Sequence, residues 1–316
     1  ITGQVAQSVI GTDAFQEVDV LGMSLSVTKH SFMVTDVEEI KRTIEQAFEI
    51  ATSGRPGPVL IDVPKDVQLA EISENLAYVP NLKAANTPDP VLIAEAKQLI
   101  ASATQPTVYV GGGVGMANAV EELREFLECS QIPSVCTLKG IGAITEQQPY
   151  YLGMLGMHGT KAANLSIQET DLLIVVGARF DDRVTGKLEA FAPNAKVIHL
   201  DADASEFGKR RAPDVAIDSD LKQVLPLLKC STDIAPWQAA VAQRKQDFAW
   251  RYDHPGEHIF APAMLNQLSQ MIDSDTVIAC DVGQHQMWVA QHMQFDGPHN
   301  HLSSAGLGTM GFGLPA

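Results

Sequence analysis

The chain has 316 residues, 45% hydrophobic and 19% charged, a composition that excludes disorder and fibrous repeats. At about 100–200 residues per domain the length holds two domains, or three partial ones, and no apolar run approaches the ~18 residues of a membrane span. With 22 basic against 38 acidic side chains the formal charge is −16, which offers no basic patch to offset phosphate and makes nucleic acid a poor candidate for a partner.

In chain order, Thr35-Asp36-Val37-Glu38 reads as a capping box. After it Val37, Ile40, Ile44 and Phe48 recur at helical spacing, and the helix is predicted to stop at Gly54, before Arg55-Pro56. Residues 58–64 form a short β-branched strand. Leu92, Ala96, Leu99 and Ile100 make one helix stripe, and the strand at 107–110 runs into Gly111-Gly112-Gly113. Val120, Leu123 and Leu127 mark another helix, followed by strands at 133–137, 172–176, 197–200 and 277–280. Apolar strands without in–out alternation are buried on both faces, so with helices between them the fold class is α/β with parallel sheets.

Residues 73–90 and 229–260 read as linkers. The domain boundaries are then 1–80, 88–228 and 255–316, with only the middle domain complete. That domain is expected to form one six-stranded parallel sheet, helices on both faces, with Gly112, Gly177 and Asp201 converging at the strands' carboxyl ends. The chain opens on Ile1 and stops in the apolar run 311–316, so it reads as an internal piece of something longer. Four cysteines without CxxC spacing indicate reduced thiols and a cytosolic setting.

In an open parallel sheet the strands' carboxyl ends form the ligand crevice. Gly111-Gly112-Gly113-Val114-Gly115 lets backbone approach a phosphate or a flat ring, with helix N–H groups behind it. Its third pattern position is Met116 rather than glycine, and tight turning is the other reading. In Asp201-Ala202-Asp203 a strand-end acid suits a ribose or an adenine amine, and Asp203 or Ser205 equally suits a helix cap. Arg179, Asp181, Asp182 and Arg183 either pair among themselves or leave an arginine for bidentate capture of a small carboxylate, Arg183 being taken as buried. His285 follows a strand directly and is read as a site residue. His254 and His258 flank Pro255 and make no metal site, and no GxSxG nucleophile is present. Met310, between glycines, is either close helix packing or a thioether against a flat cofactor.

Eight motifs occur in order: Ile10-Gly11-Thr12-Asp13-Ala14-Phe15-Gln16-Glu17, Thr28-Lys29-His30, Ser53-Gly54-Arg55-Pro56-Gly57-Pro58-Val59, Val63-Pro64-Lys65-Asp66, Leu155-Gly156-Met157-His158-Gly159, Arg179-Phe180-Asp181-Asp182-Arg183-Val184-Thr185-Gly186, Val282-Gly283-Gln284-His285-Gln286-Met287-Trp288, and the run 306–315. On these the chain resembles the catalytic large subunits of the acetolactate synthase (acetohydroxyacid synthase) family over essentially all 316 residues, most of all the enterobacterial isozyme II type. The resemblance implies a three-domain thiamine diphosphate enzyme whose first and last domains are truncated here. The first domain pairs with the aminopyrimidine, the middle one binds FAD, and the last holds the diphosphate and Mg²⁺. The family's activating glutamate lies upstream and its Mg²⁺ ligands downstream, so the chain alone is expected to be inactive and to supply no metal ligand.

The implied reaction condenses two 2-ketoacids with decarboxylation. It gives 2-acetolactate from pyruvate, or 2-aceto-2-hydroxybutyrate with 2-ketobutyrate, in valine, leucine and isoleucine biosynthesis. By family position Phe15, Gln16 and Lys65 wall the substrate channel from a neighbouring subunit, Arg183 receives the ketoacid carboxylate, and Met310 holds the bend of thiamine. Gln284, His285 and Gly308 lie at thiamine diphosphate. The FAD positions are Arg55, Gly112, Thr137, Leu138, Leu155, Gly156, Met157, His158, Gly177, Ala178, Arg179, Phe180, Asp181, Asp201, Ala202, Asp220 and Leu221, and the flavin's role is structural. Ala6-Gln7-Ser8 departs from the family's Pro-containing version. The resemblance further implies a cytoplasmic homodimer or homotetramer, with room for a small regulatory subunit and no membrane or nucleic-acid partner. Competing readings are another thiamine enzyme of the same plan, such as a pyruvate oxidase or glyoxylate carboligase, and a non-catalytic flavin-binding module.

Overall fold

The apolar run at 59–64 lies between two other short strands. The structure, a computed structural model, describes residues 1–72, 86–253, 256 and 258–316. The chain divides into two units, Ile1–Ala85 and Asn86–Ala316. In the N-terminal unit β1 (Thr2–Gln4) and β2 (His30–Met33) flank β3 (Val59–Pro64) in a parallel sheet. Asp62, fully buried in β3, accepts hydrogen bonds from Thr2 Oγ1 (2.8 Å) and Gln4 Nε2 (3.2 Å), so its polar atoms are satisfied.

The helix Ile40–Thr52 lays Ile40, Ile44 and Ala47 on this sheet. Phe48, expected on the same stripe, is 70% exposed, because Ala47 occupies the inward position one residue earlier. The cap is Asp36 rather than Thr35: its Oδ1 accepts from Glu38 N (3.0 Å) and opens a short turn, Val37–Glu39, before the helix. The helix also stops at Thr52, two residues earlier than expected, where Lys29 Nζ donates to the carbonyls of Ile50 and Ser53. A cation on the last carbonyls offsets the helix dipole and uses up free acceptors.

In the C-terminal unit six strands form one all-parallel sheet: β4 (Pro106–Val110), β5 (Ser134–Cys136), β6 (Tyr151–Met154), β7 (Leu172–Val176), β8 (Lys196–Asp201) and β9 (Val215–Asp218). Every residue of β4 and β7 is buried. Successive side chains point to opposite faces, so both faces of the sheet are covered. The spatial order is β6-β5-β4-β7-β8-β9. The chain builds outward from β4 to β6, then returns to β4's other side and builds outward again. The reversal lies between β4 and β7, which is where doubly wound sheets open a crevice for a dinucleotide. Asp89, Thr160 and Asp220 cap the helices Pro90–Ser102, Lys161–Glu169 and Leu221–Leu228.

The stretch 229–260 is not a linker throughout. It contains the helix Ala235–Asp247, whose Trp237 is buried and donates from Nε1 to Pro106 O (2.9 Å), with Val241 buried a turn later. Of the other expected linker, 73–90, residues 73–85 lie outside the described residues, as do His254 and Pro255. The unit ends in β10 (Ile278–Cys280) and β11 (His301–Ser303), a parallel pair spanned by the helix Gln284–His292. All four cysteines are free thiols. Among the described residues no helix is long and apolar enough to cross a membrane.

Candidate cofactor crevice

Three strand ends are laced together by main chain. Gly111 N donates to Val176 O, Gly113 N to Gly177 O and Gly177 N to Leu200 O, each at 2.9 Å. Gly112, Gly177 and Asp201 therefore converge at one end of the sheet, beside its reversal. A Cβ on Gly111 would sit 2.2 Å from Gly177 O, and one on Gly113 2.7 Å from Gly177 Cα. The backbones touch where only glycine fits, so the floor of the crevice is bare main chain.

The neighbouring loops close around this floor. Thr137 Oγ1 accepts from Gly140 N (3.0 Å) and shapes the turn Leu138–Gly140, whose Lys139 lies against Gly112. After β6, Gly156 N donates to Asn164 Oδ1 (3.0 Å) and Asn164 Nδ2 returns a bond to Gly156 O (2.9 Å). Met157 N then donates to Arg183 O (2.9 Å), joining this loop to the one after β7. His158 is exposed and its carbonyl accepts from Gln291 Nε2 (2.7 Å).

Beyond β7, Arg179 Nη2 pairs with Asp181 Oδ2 (3.1 Å), and Asp181 Oδ1 caps the turn Asp182–Thr185 through Arg183 N (2.9 Å). Arg183 is not buried. Its side chain is 73% exposed, because the cap turns residue 183 outward, and Asp182 stands 3.8 Å from its Nε. Ala178, Phe180, Leu155 and Leu221 are buried side chains, so they reach a crevice ligand through main chain only. Phe180 packs edge-on against Phe191 and the buried His199, whose Nε2 donates to Ala178 O (2.9 Å). Burial holds the His199 pKa below its usual value.

The two strand-end aspartates after β8 divide their roles. Asp203 caps the turn Ala204–Glu206, accepting from Ser205 N (3.1 Å), while Asp201 accepts from Asp203 N (3.0 Å) and stays at the strand end beside the exposed Ala202. Asp220, at the far edge after β9, is the cap of its helix.

The β10–β11 pair presents a second set. Both strands are parallel, so the loops that follow them leave from the same end. After β10 come Asp281 and the exposed Gln284 and His285; after β11 comes the glycine-rich segment with Gly308 (φ +61°) and Met310. Gln286 points the other way, buried and donating to Ser303 Oγ. Lys139 Nζ donates to Ser303 O (3.4 Å), which ties the loop after β5 to β11. The buried His301 is pushed down to about 4 by burial and by the Lys139 charge.

In the N-terminal unit Phe15 (90% exposed) and Gln16 (φ +69°) ride a loop clasped by Glu17, whose carboxylate accepts from Gly11 N and, at 3.0 Å, from Ala14 N. Lys65 opens the helical turn Lys65–Leu69, where Asp66 accepts from Gln7 N (3.0 Å) and Gln7 Nε2 (3.1 Å). Arg55 is exposed just beyond the helix Ile40–Thr52.

The main-chain floor, the helix start at 113 and the acid at the end of β8 fit a flavin dinucleotide laid across the reversal. The exposed thioether, glycines and strand-end polar groups of the second set fit a flat ring with a diphosphate. No group of three His, Cys, Asp or Glu that could hold a metal exists among the described residues. Sequence reasoning passed over Asp281 and Asn164. Asp281 directly follows a strand, the same signal that had selected Asp201.

A six-stranded parallel sheet with a mid-sheet reversal, followed by a strand pair with a glycine-rich end, is the plan of the thiamine pyrophosphate enzymes. The family model for the thiamine pyrophosphate enzyme central domain matches residues 93–228, and that for the C-terminal TPP binding domain matches 281–316. The whole chain aligns at 56% identity with the acetolactate synthase isozyme 2 large subunit of Escherichia coli K12, covering 58% of that protein. It aligns at 46% with the isozyme 1 large subunit of the same organism (57% covered) and at 44% with the chloroplastic acetolactate synthase 1 of Oryza sativa subsp. japonica (51% covered). Over its whole length the chain is similar to acetolactate synthase large subunits, and it carries matches to two thiamine pyrophosphate enzyme domains. It spans a little over half the length of these relatives.

Proposed function

We propose that this chain serves the thiamine-diphosphate-dependent condensation of two 2-ketoacids with loss of CO₂, yielding 2-acetolactate or 2-aceto-2-hydroxybutyrate for branched-chain amino acid synthesis. The observation that carries this reading is the 56% identity, sustained over all 316 residues, to an acetolactate synthase large subunit. Thiamine diphosphate, when bound, supplies the electron sink for decarboxylation and carbon–carbon bond formation. The chain's own residues bind and orient. Gly112 and Gly177 give FAD a main-chain floor, and Asp201 offers its ribose a carboxylate acceptor. The exposed guanidinium of Arg183 is available to a ketoacid carboxylate in bidentate geometry. Met310 supports the thiamine ring, with Gln284 and His285 beside it, and Phe15, Gln16 and Lys65 wall the channel of a neighbouring subunit in a homodimer or homotetramer.

FAD here holds structure and undergoes no net redox change, Mg²⁺ is ligated by residues other than these, and the setting is the cytoplasm, in keeping with four free thiols. The E. coli relatives are large subunits, and a small regulatory subunit is a partner consistent with that. The test is product analysis of the full-length enzyme supplied with pyruvate, thiamine diphosphate, FAD and Mg²⁺. Acetolactate supports the reading. Acetate from pyruvate, or tartronate semialdehyde from glyoxylate in its place, would assign another thiamine enzyme, and flavin binding without turnover a non-catalytic module.

A further inference from the structure

The glycine-rich segment 306–313 has no apolar anchor at its tip. Leu307 and Met310 are 83% and 79% exposed, and Gly308 and Gly311 take positive φ (+61° and +89°). Such a segment has many accessible backbone states, so holding one side chain at a fixed height requires an outside constraint. Asp281 provides it. Its Oδ1 accepts from Val282 N (2.7 Å) and Gly311 N (2.9 Å), and its Oδ2 from Gly313 N (3.1 Å). Gly313 rests on the main chain of the same residue, where a Cβ would lie 2.7 Å from Asp281 N. Ser304 Oγ, accepting from Thr309 N (2.9 Å), fixes the other end of the loop.

We propose that Asp281 is a positioning residue that folds 306–313 back over the end of β10 and so sets where Met310 meets the thiamine ring, an inference that rests on the reading of Met310 given above. The three N–H donors, Gly311's first, hold the carboxyl below the usual aspartate range, so the clamp is ionised at neutral pH. The two oxygens act on different amides, which makes the device separable by substitution. In Asp281→Asn the amide keeps one oxygen for Val282 and Gly311, and its NH₂ faces the Gly313 N–H, donor against donor. In Asp281→Ala all three bonds are lost.

The test compares full-length wild type, Asp281→Asn and Asp281→Ala by hydrogen exchange in peptides covering 306–313, first without thiamine diphosphate. Thiamine diphosphate affinity and the near-UV circular dichroism of the bound thiamine follow. The clamp predicts protection at 311 and 313 in wild type, at 311 alone in the Asn variant and at neither in the Ala variant. Affinity for thiamine diphosphate should fall about tenfold in Asp281→Ala, the scale of a charge-assisted hydrogen bond, with altered circular dichroism and unchanged FAD content. Equal protection in all three proteins overturns the clamp. Lost protection with unchanged thiamine affinity and dichroism overturns the positioning role. A wild type that binds no thiamine diphosphate overturns the reading of the site and the positioning role with it, while the exchange pattern judges the clamp independently.

Discussion

Gly177 is the residue on which the crevice geometry turns. Its φ of +56° is strained for any L side chain, and a Cβ there would lie 2.8 Å from Gly113 Cα. Gly177→Ala must push the loops after β4 and β7 apart, costing more than about 1 kcal/mol and, on the proposed function, emptying the flavin site. Thermal unfolding and retained FAD measure both effects, and a variant normal in both would show that the two turns do not form one floor. Arg183 is decided by its exposure. As a surface pair at 3.8 Å with Asp182 it adds little to stability, about 0–1 kcal/mol at most. If Arg183 takes the ketoacid carboxylate as proposed, Arg183→Ala should leave unfolding and flavin content near normal while kcat/KM falls by about 10²-fold, the loss of that charge-assisted contact. Lysine should restore only part, lacking the planar fork. Parallel loss of stability, flavin and activity would instead make Arg183 a structural residue. The sequence placed this arginine after a buried strand but had no means of seeing that the Asp181 cap turns it outward, because a cap is a local hydrogen bond and burial a global one.

Apart from β10, elements were legible according to how central they are in their sheets. The strands visible in the sequence are β3, central in its sheet, then β4, β5, β7 and β8, each with neighbours on both sides, and β10. The strands that were missed, β1, β2, β6, β9 and β11, all lie at sheet edges. An interior strand must be apolar on both faces, so it reads as an unbroken run such as 172–176. An edge strand is free to carry Ser31, Gly153, Asp218 or Ser303, and its signal sinks into the surrounding turns. The helix Ala235–Asp247 was passed over for a related reason: its buried side is only Trp237 and Val241. Those two do much of the docking, so this helix supplies the prediction at the element scale. Trp237→Phe keeps an aromatic side chain but is smaller, and it leaves Pro106 O without its indole donor inside the core. The expected loss is about 1–3 kcal/mol, the cost of an unsatisfied buried acceptor, read from chemical denaturation. A change below about 0.5 kcal/mol would mean that the helix adds little to the sheet it covers.

At the scale of the whole molecule, the C-terminal unit carries a built-in acid sensitivity. His199, His292 and His301 are buried there, and for each of them burial is the first cause that lowers the pKa. The groups facing them do not reverse this. Lys139 lowers His301 further, Tyr252 Oη lies 3.2 Å from His292 Nδ1, and at His199 the Ala178 carbonyl and then Glu206, with the Asp201 carboxylate 4.0 Å away, only partly offset the burial. Each histidine is neutral in the folded protein and takes a proton in the unfolded chain below its ordinary value of about 6.5. Stability is therefore complete above that pH and is lost as pH falls toward the folded-state pKa, about 4 for His301. For His301 alone the loss across this window is roughly 3 kcal/mol, at about 1.4 kcal/mol per pH unit. In the same unit Asp281, whose pKa is lowered chiefly by backbone N–H donors, acts in the same direction at still lower pH, since its stabilisation is present above the unfolded carboxylate value and lost below it, and Glu17 and Asp66 do the same for the N-terminal unit. All three tryptophans, Trp237, Trp250 and Trp288, belong to the C-terminal unit, so their fluorescence follows its unfolding and not that of the N-terminal one. Urea titrations at pH 7.5, 5.5 and 4.5 should show little change near the first value and a steep decline between the other two. In His301→Phe the slope between them should fall by about one proton's worth. Stability that stays level from pH 7.5 to 4.5 would mean that these histidines charge in place, and that the interior around Lys139 and His301 is open to water.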